Sequence, residues 1–303
     1  MLAPDSFNPR IGYAETLRPG LRRIVAPNPS AMTYRGTNTY LLGMKEIAVI
    51  DPGPDNSAHL AAILDAIGPD ARISHILVSH SHLDHSPLAR RLQDACGAPI
   101  HAFGNATAGR SPVMQSLAES GLIAGGEGID SEFSPDVCLP DNAIIQSAEW
   151  MLNVIHTPGH LGNHICFAWD DICFTADHVM GWASSLVSPP DGDLTDFMAS
   201  CARLQERRWQ TFYPGHGAAI DHPNNRLDWL VSHRRAREKQ ILEALAAGPA
   251  NAQALARAIY LDSPSELLAA ATRNVLAHLI DLMGKSHVSA HGNLSADTKF
   301  ERR

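Results

Sequence analysis

The sequence predicts an α/β fold followed by a small helical domain, and three observations carry that reading. Short apolar, β-branched runs recur and end in polar or glycine-containing turns, as in Ile76-Leu77-Val78-Ser79 and Asn153-Val154-Ile155-His156. Segments with apolar residues at helical spacing alternate with these runs, as in residues 56–67 with Leu60, Ile63, Leu64 and Ile67. After His216 the strand pattern stops and long helix-spaced segments take over. The expected domains are residues 1–223 and 224–303.

Taken in order, residues 1–35 read as an irregular lead-in with a strand near residues 21–26. Residues 36–43 and 46–50 read as an antiparallel pair, closed by an Asp51-Pro52-Gly53 turn. Residues 56–67 are a surface helix on the sheet. The strand ending at Ser79 runs through a polar loop into Ser86-Pro87 and a capped helix with Pro at its first position. Residues 104–131 are glycine-rich around one helix at 112–120, and a segment of this length is expected to wall one side of a cleft. Strands follow at 153–157, 171–176 and 211–214. The helix between the last two opens at Ser188-Pro189-Pro190-Asp191-Gly192-Asp193, where Asp191 and Asp193 are expected as caps. Residues 221–225 read as a linker. Residues 226–247, 252–260 and 264–283 read as helices, and the tail from Lys285 as a hairpin.

Composition bounds the function. The chain has 303 residues, 45% of them hydrophobic, enough for one large core or two domains. It holds no apolar run of about 18 residues, so no membrane span is expected. The first residues lack a basic segment followed by an apolar one, so no secretory signal is expected. Five cysteines, an odd number without a Cys-x-x-Cys pair, read as reduced residues of a cytoplasmic protein. The net charge of −8 is uneven: residues 225–303 carry 11 Lys+Arg against 8 Asp+Glu, and the remainder 13 against 24. A polyphosphate partner is disfavoured by that acidic first part. The Arg234-Arg235-Arg237-Lys239 cluster reads as one solvated helix face.

The chemistry is concentrated at strand ends. His80, His82, Asp84 and His85 fall within six residues just after an apolar run. Alternation puts His80 and His82 on one side of an extended segment, while Asp84 and His85 lie past the bend and can serve a second ion. Imidazole and carboxylate together suit Zn²⁺, Fe or Mn rather than Ca²⁺. Three further strands deliver His160 in a Thr-Pro-Gly-His turn, Asp177 directly after an apolar run, and His216 in a Pro-Gly-His turn. His75, His101, His156 and His178 read as structural.

This order of motifs resembles the metallo-β-lactamase superfamily over residues 20–220, and the C-terminal helices with their hairpin resemble the winged-helix-like domain of its β-lactamase-like protein 2 branch. The resemblance implies an αββα sandwich with a two-metal site at one edge. It implies one metal held by His80, His82 and His160, a second by Asp84, His85 and His216, and Asp177 bridging both. Asp51 is expected to orient a ligand imidazole. No cysteine occupies a ligand position, which sets the chain apart from lactamases with a Cys ligand. The implied function is a dinuclear-metal hydrolase whose bridging hydroxide attacks an ester, thioester or lactone of a small molecule, with Zn expected first and Fe or Mn as alternatives. Asp84 is the expected proton acceptor. His164 is a candidate hydrogen-bond donor to substrate or leaving group, with a packing role as the alternative. A single-strand endoribonuclease using the same metals is the second reading, and nucleic acid is the second-choice partner. The C-terminal domain is expected to cap the cleft or to support a homodimer.

Overall fold

The computed structural model describes residues 7–122, 128–261, 267–295 and 297–303. Its first sheet contains β1 (Glu15–Arg18), β2 (Leu21–Val25), β3 (Asn38–Leu42), β4 (Glu46–Ile50), β5 (Arg72–Leu77), β6 (Ile100–Ala102) and β7 (Val137–Cys138), in that spatial order. Pairing is antiparallel from β1 to β4 and parallel from β4 to β7. The parallel half needs crossovers, and α1 (Ser57–Asp65) and α2 (Leu88–Cys96) supply the first two. After α3 (Pro112–Glu119) comes the second sheet: β8 (Ile144–Gln146), β9 (Met151–His156), β10 (Ile165–Trp169), β11 (Ile172–Ala176) and β12 (Thr211–Pro214). Only β11 and β12 pair in parallel, joined through α4 (Leu194–Gln205).

Period-two alternation builds four layers from these elements. On β3 and β4, Tyr40, Leu42, Ala48 and Ile50 face the second sheet, while Leu41, Ile47 and Val49 face α1 and α2. On β10, Phe167 fills the space between the sheets, and Cys166 and Ala168 turn outward to Phe197, Cys201 and Leu204 of α4. Both faces of each sheet are therefore covered, which is the expected αββα sandwich.

The C-terminal part has its own core. It comprises α5 (Pro223–Leu245), β13 (Ala250–Asn251), α6 (Ala252–Ile259), α7 (Leu268–Gly284), β14 (Val288–Ala290) and β15 (Lys299–Arg302), with the three strands in the order β13-β15-β14. Its core gathers Leu255, Val275, Leu279, Leu282 and Phe300. α5 serves both cores: Leu227 and Leu230 pack with α4, Ile241 and Leu245 with α6 and α7.

Several expectations need correction. The lead-in contains β1, joined to β2 by Pro19-Gly20, with Gly20 at φ +76° as such a turn demands. Pro223 is no linker residue but opens α5, where a missing N–H costs nothing. Ser86 does not cap α2; its hydroxyl donates to Asp130 Oδ2 and His82 O. Asp193 caps α4 by accepting from Thr195 N, but Asp191 instead pairs with Arg110 at 2.8 Å. The described part of residues 104–131 sends Met114 and Leu122 into the C-terminal core and bridges His82 through Ile129. The basic cluster does not share a face, because a 3.6-residue repeat separates its members: Arg234 is buried, Arg237 half-buried, Arg235 and Lys239 exposed. The start expected at residue 264 for the last helix lies outside the described residues.

Phe167 is fully buried between the sheets. Phe167→Ala should destabilise the fold by about 3–5 kcal/mol, read as a lowered midpoint in chemical denaturation.

A candidate metal centre at the sheet edge

Parallel strands bring their C-terminal ends to one edge. β4 and β5 run in parallel, and so do β9, β11 and β12 through the antiparallel β10. His80, His82, Asp84 and His85 follow β5, His160 follows β9, Asp177 follows β11 and His216 follows β12. All seven are at most 8% exposed. Two glycines permit the approach. A Cβ on Gly215 would lie 2.3 Å from Asp177 Oδ1 and 2.7 Å from His85 Cε1. Gly159 has φ +138°, and a Cβ there would meet the Phe197 backbone at 2.3 Å.

The side chains form two groups able to hold a cation: His80, His82 and His160, and Asp84, His85, Asp177 and His216. In the first, His82 Nδ1 is 3.0 Å from both His80 Nε2 and His160 Nε2. Nitrogens bound to one tetrahedral Zn²⁺ at about 2.0–2.1 Å sit about 3.3 Å apart, so this spacing suits a single ion. In the second, His216 Nε2 is 3.1 Å from Asp84 Oδ2 and 3.3 Å from Asp177 Oδ2, and His85 Nε2 is 3.4 Å from an oxygen of each carboxylate.

Outer hydrogen bonds decide which nitrogens face inward. Ser79 Oγ donates to Asp51 Oδ2 at 2.7 Å, so it can only accept from His80 Nδ1 at 2.9 Å. His85 Nδ1 donates to Asp51 Oδ2 at 3.0 Å, His160 Nδ1 to Leu186 O at 2.7 Å, and His216 Nδ1 to Gly36 O at 3.2 Å. In four imidazoles the outer bond thereby occupies Nδ1 and turns Nε2 inward, the nitrogen a metal would take. Asp84 Oδ1 and Asp177 Oδ1 are buried without a hydrogen-bond partner. Buried, unpartnered carboxylate oxygens beside inward nitrogens fit a cation and fit little else. In the absence of a cation the carboxylates draw a proton instead: burial opposes an imidazolium at His216, but Asp177 and Asp84 reverse it and raise the group to about 10, a proton that a bound metal would displace. Burial dominates at His82, which falls to about 3.

His164 is fully buried. Its Nδ1 is 2.8 Å from Thr157 Oγ1, its ring lies 5.1 Å from His80, and its Nε2 has no partner. His178 and His156 are held away from the centre, against Cys201 and against Phe103 with Gly162 O.

Sequence reading missed the residues that hold the ligand turns. Asn38 Nδ2 donates to Pro214 O and Gly217 O, both at 2.9 Å, on either side of His216. The 185–187 loop ties His160 and Asp177 to the C-terminal helices. Leu186 O accepts from His160, and Ser185 Oγ donates to Asp177 O. Arg234 donates to Ser185 O, and Asn274 Oδ1 accepts from Val187 N at 3.1 Å and Arg234 Nη1 at 2.9 Å. The one available signal was the polar opening of an apolar strand at Thr37-Asn38-Thr39.

A family model for the metallo-beta-lactamase superfamily matches residues 32–243, and one for the beta-lactamase associated winged helix domain matches residues 252–295. The chain belongs to the metallo-β-lactamase superfamily. It is a metal-dependent hydrolase of that family, with a C-terminal winged helix domain. A Beta-lactamase-like protein 2 homolog of Drosophila melanogaster is 32% identical, covering 92% of each chain. An Atrochrysone carboxyl ACP thioesterase of Claviceps purpurea is 28% identical over 78% of this chain and 69% of its own. Among solved structures, a Beta-lactamase domain protein from Burkholderia ambifaria superposes with a TM-score of 0.81 at 20% identity, covering 99% of this chain and 96% of its own. No helix among the described residues is long and apolar enough to cross a membrane.

Asp51→Asn should weaken metal affinity by about 10–100-fold, measured against a chromophoric chelator, with the circular dichroism spectrum retained. Asn274→Ala strips Val187 N and Arg234 of an acceptor and should cost about 1–3 kcal/mol in denaturant unfolding.

Proposed function

We propose that the protein hydrolyses an ester, thioester or lactone of a small molecule with two divalent ions at this centre. In this reading His80, His82 and His160 hold one ion, Asp84, His85 and His216 hold the other, and Asp177 is shared. The observation that carries it is the position of Asp177, whose Oδ2 lies 3.7 Å from His160 Nε2 and 3.3 Å from His216 Nε2. Zn²⁺ is the first choice, and Fe or Mn suit the same donors. When bound, such a pair lowers the pKa of a water toward neutrality and polarises an acyl oxygen.

The protein's own groups do the rest. Asp84 Oδ1, buried and unpartnered, is the acceptor for the proton of the attacking water. Burial alone would raise its carboxyl, but the His85 and His216 imidazoles overcome that and hold it well below the usual range. Asp84 therefore stays ionised at neutral pH, with Oδ1 free to accept a hydrogen bond. The cleft over the centre is largely apolar, lined by Met180, Trp182 and Leu186, which excludes water from the acyl group. We assign His164 a packing role, because its ring has no exposed surface from which to reach a substrate. The thioesterase name of a fungal relative supports acyl chemistry.

Phosphodiester cleavage of single-stranded RNA is the second reading, favoured by Arg226 and Arg237 in the same cleft. It is disfavoured by the acidic charge of residues 1–224, which repels a polyphosphate chain.

Purified protein should carry two metal ions per chain by elemental analysis and cleave members of an ester, thioester and lactone panel but not an RNA oligonucleotide. One ion per chain after reconstitution, or RNA cleavage alone, overturns the reading. Asp84→Asn with its metal content measured in the same sample should lose about 10²–10⁴-fold in kcat. A fully metallated variant with undiminished kcat would remove Asp84 as the proton acceptor.

A further inference from the structure

We propose that the cleft between α5, the 180–186 loop and the C-terminal domain binds an amphipathic acyl compound, one with an apolar or aromatic body and a single anionic group recognised by Arg237 and Arg226. The anion is a carboxylate or a phosphate. The inference takes the hydrolase reading as its basis for calling this compound a substrate, while its binding can be measured without turnover.

The cavity has a volume of about 340 Å³, within the range of small-molecule sites. His160 and Asp177 are among its lining residues, so a molecule filling it reaches the candidate metal centre. Trp182, Trp229 and Tyr260 line it and offer flat apolar surface to an acyl or aryl body. Two guanidinium carbons lie over two of these rings, Arg237 at 3.9 Å from the Tyr260 centroid and Arg226 at 4.2 Å from that of Trp229. Such contacts position a guanidinium, and the N–H groups not used by Met180 O, Ala183 O and Gln240 remain for a ligand.

Neither arginine has a carboxylate partner among the described residues. Arg226 donates to Met180 O and Ala183 O, both at 2.7 Å. Arg237 donates to Gln240 Oε1 at 2.8 Å, and its Nε is buried without a partner. Arg234, buried behind them, donates to Ser185 O and Asn274 Oδ1 and lies over the Phe197 ring. Among the described residues Asp177 is the one carboxylate in the cavity lining, and it faces the candidate metal ligands. The cleft wall therefore holds two guanidinium groups, with a third buried behind them, and none has a carboxylate partner among the described residues. His233, which also lines it, registers that field: burial first, then Arg234, Arg237 and Arg226, push it down to about 4. An uncompensated cation in a partly desolvated cleft gains most from an incoming anion. One anion is the fitting load. Two forks match a single carboxylate or phosphate, and the acidic surroundings repel a longer polyanion.

The test uses three thioethers that cannot be hydrolysed: ω-(benzylthio)hexanoate, ω-(benzylthio)hexyl phosphate and the neutral ω-(benzylthio)hexanamide. Each is titrated into the metal-loaded full-length protein and followed by tryptophan fluorescence, to which Trp182 and Trp229 contribute. The two anionic probes should bind about 10–100-fold more tightly than the amide, as charge-assisted hydrogen bonds do. The stronger of the two identifies the anion. Arg237→Gln should bring both to the affinity of the amide and leave amide binding unchanged, which also shows that the variant is folded. Arg237→Lys should restore part of the preference. Equal binding of all three probes by the wild type overturns the proposal. So does a preference that survives Arg237→Gln and vanishes on chelation, since the anion then sits on the metals. Displacement of the probe by an oligouridylate with steep salt dependence also overturns it, in favour of an RNA groove. A protein that prefers the anionic probes yet cleaves no matching thioester keeps this site and loses the hydrolase reading.

Discussion

One buried carboxylate organises the candidate centre without belonging to it. Asp51, at the end of β4, accepts from Ser79 N and Ser79 Oγ, both at 2.7 Å, and from His85 Nδ1 at 3.0 Å. The first two bonds fix the start of the ligand loop and, through the Ser79 hydroxyl, force His80 to carry its proton on Nδ1. The third does the same for His85. One side chain thus sets the tautomer of a ligand in each group. Its backbone sits at φ +49°, a region an aspartate reaches at lower cost than most residues, and the bonds it makes offset that cost. The carbonyls of Leu186 and Gly36 set the tautomers of His160 and His216 likewise, so the inward face of the centre follows from where the outer protons are directed.

The candidate ligands were legible in the sequence because the fold presents them through local grammar. An apolar run followed by His, Asp or Pro-Gly-His names both the strand and the residue at its exit. Strand direction then brings the exits together, and the structure gathers all seven. What the sequence hid is non-local. Arg234 and Arg237 sit in one basic run with Arg235 and Lys239, yet helical geometry turns the first two toward the protein and its cleft and leaves the other two in solvent. Asn38 looks like an ordinary polar residue until Pro214 and Gly217 are seen beside it, more than 170 positions away in the chain. The domain division is blurred for a related reason: α5 is one continuous helix whose two halves enter two different cores.

That shared helix makes the C-terminal domain part of the site's support. Arg234 from α5 and Asn274 from α7 hold the 185–187 loop, and the loop's Leu186 carbonyl and Ser185 hydroxyl hold His160 and the Asp177 backbone. A buried arginine without a carboxylate is expensive, and burial lowers its pKa accordingly. Two hydrogen-bond acceptors and the Phe197 ring, 5.0 Å from its guanidinium carbon, offset part of that cost. The arrangement makes physical sense as a clamp. A leucine there would pack as well but would leave Ser185 O and Asn274 without their donor, and the loop free to carry His160 out of line.

Net charge therefore misleads about what this cleft attracts. The acidic excess of the first 224 residues is spread over the surface, where salt screens it beyond about 10 Å. The arginines of α5 act at contact distance, against aromatic rings and within a cavity that shields them from solvent. A diffuse negative surface and a concentrated positive cleft select together. In the proposed reading the surface discourages long polyanions, and the cleft takes a molecule whose single charge meets the guanidinium groups while its acyl carbon approaches His160 and Asp177. The separation of those groups along the cavity would then act as the specificity ruler, selecting by the chain length between anion and carbonyl.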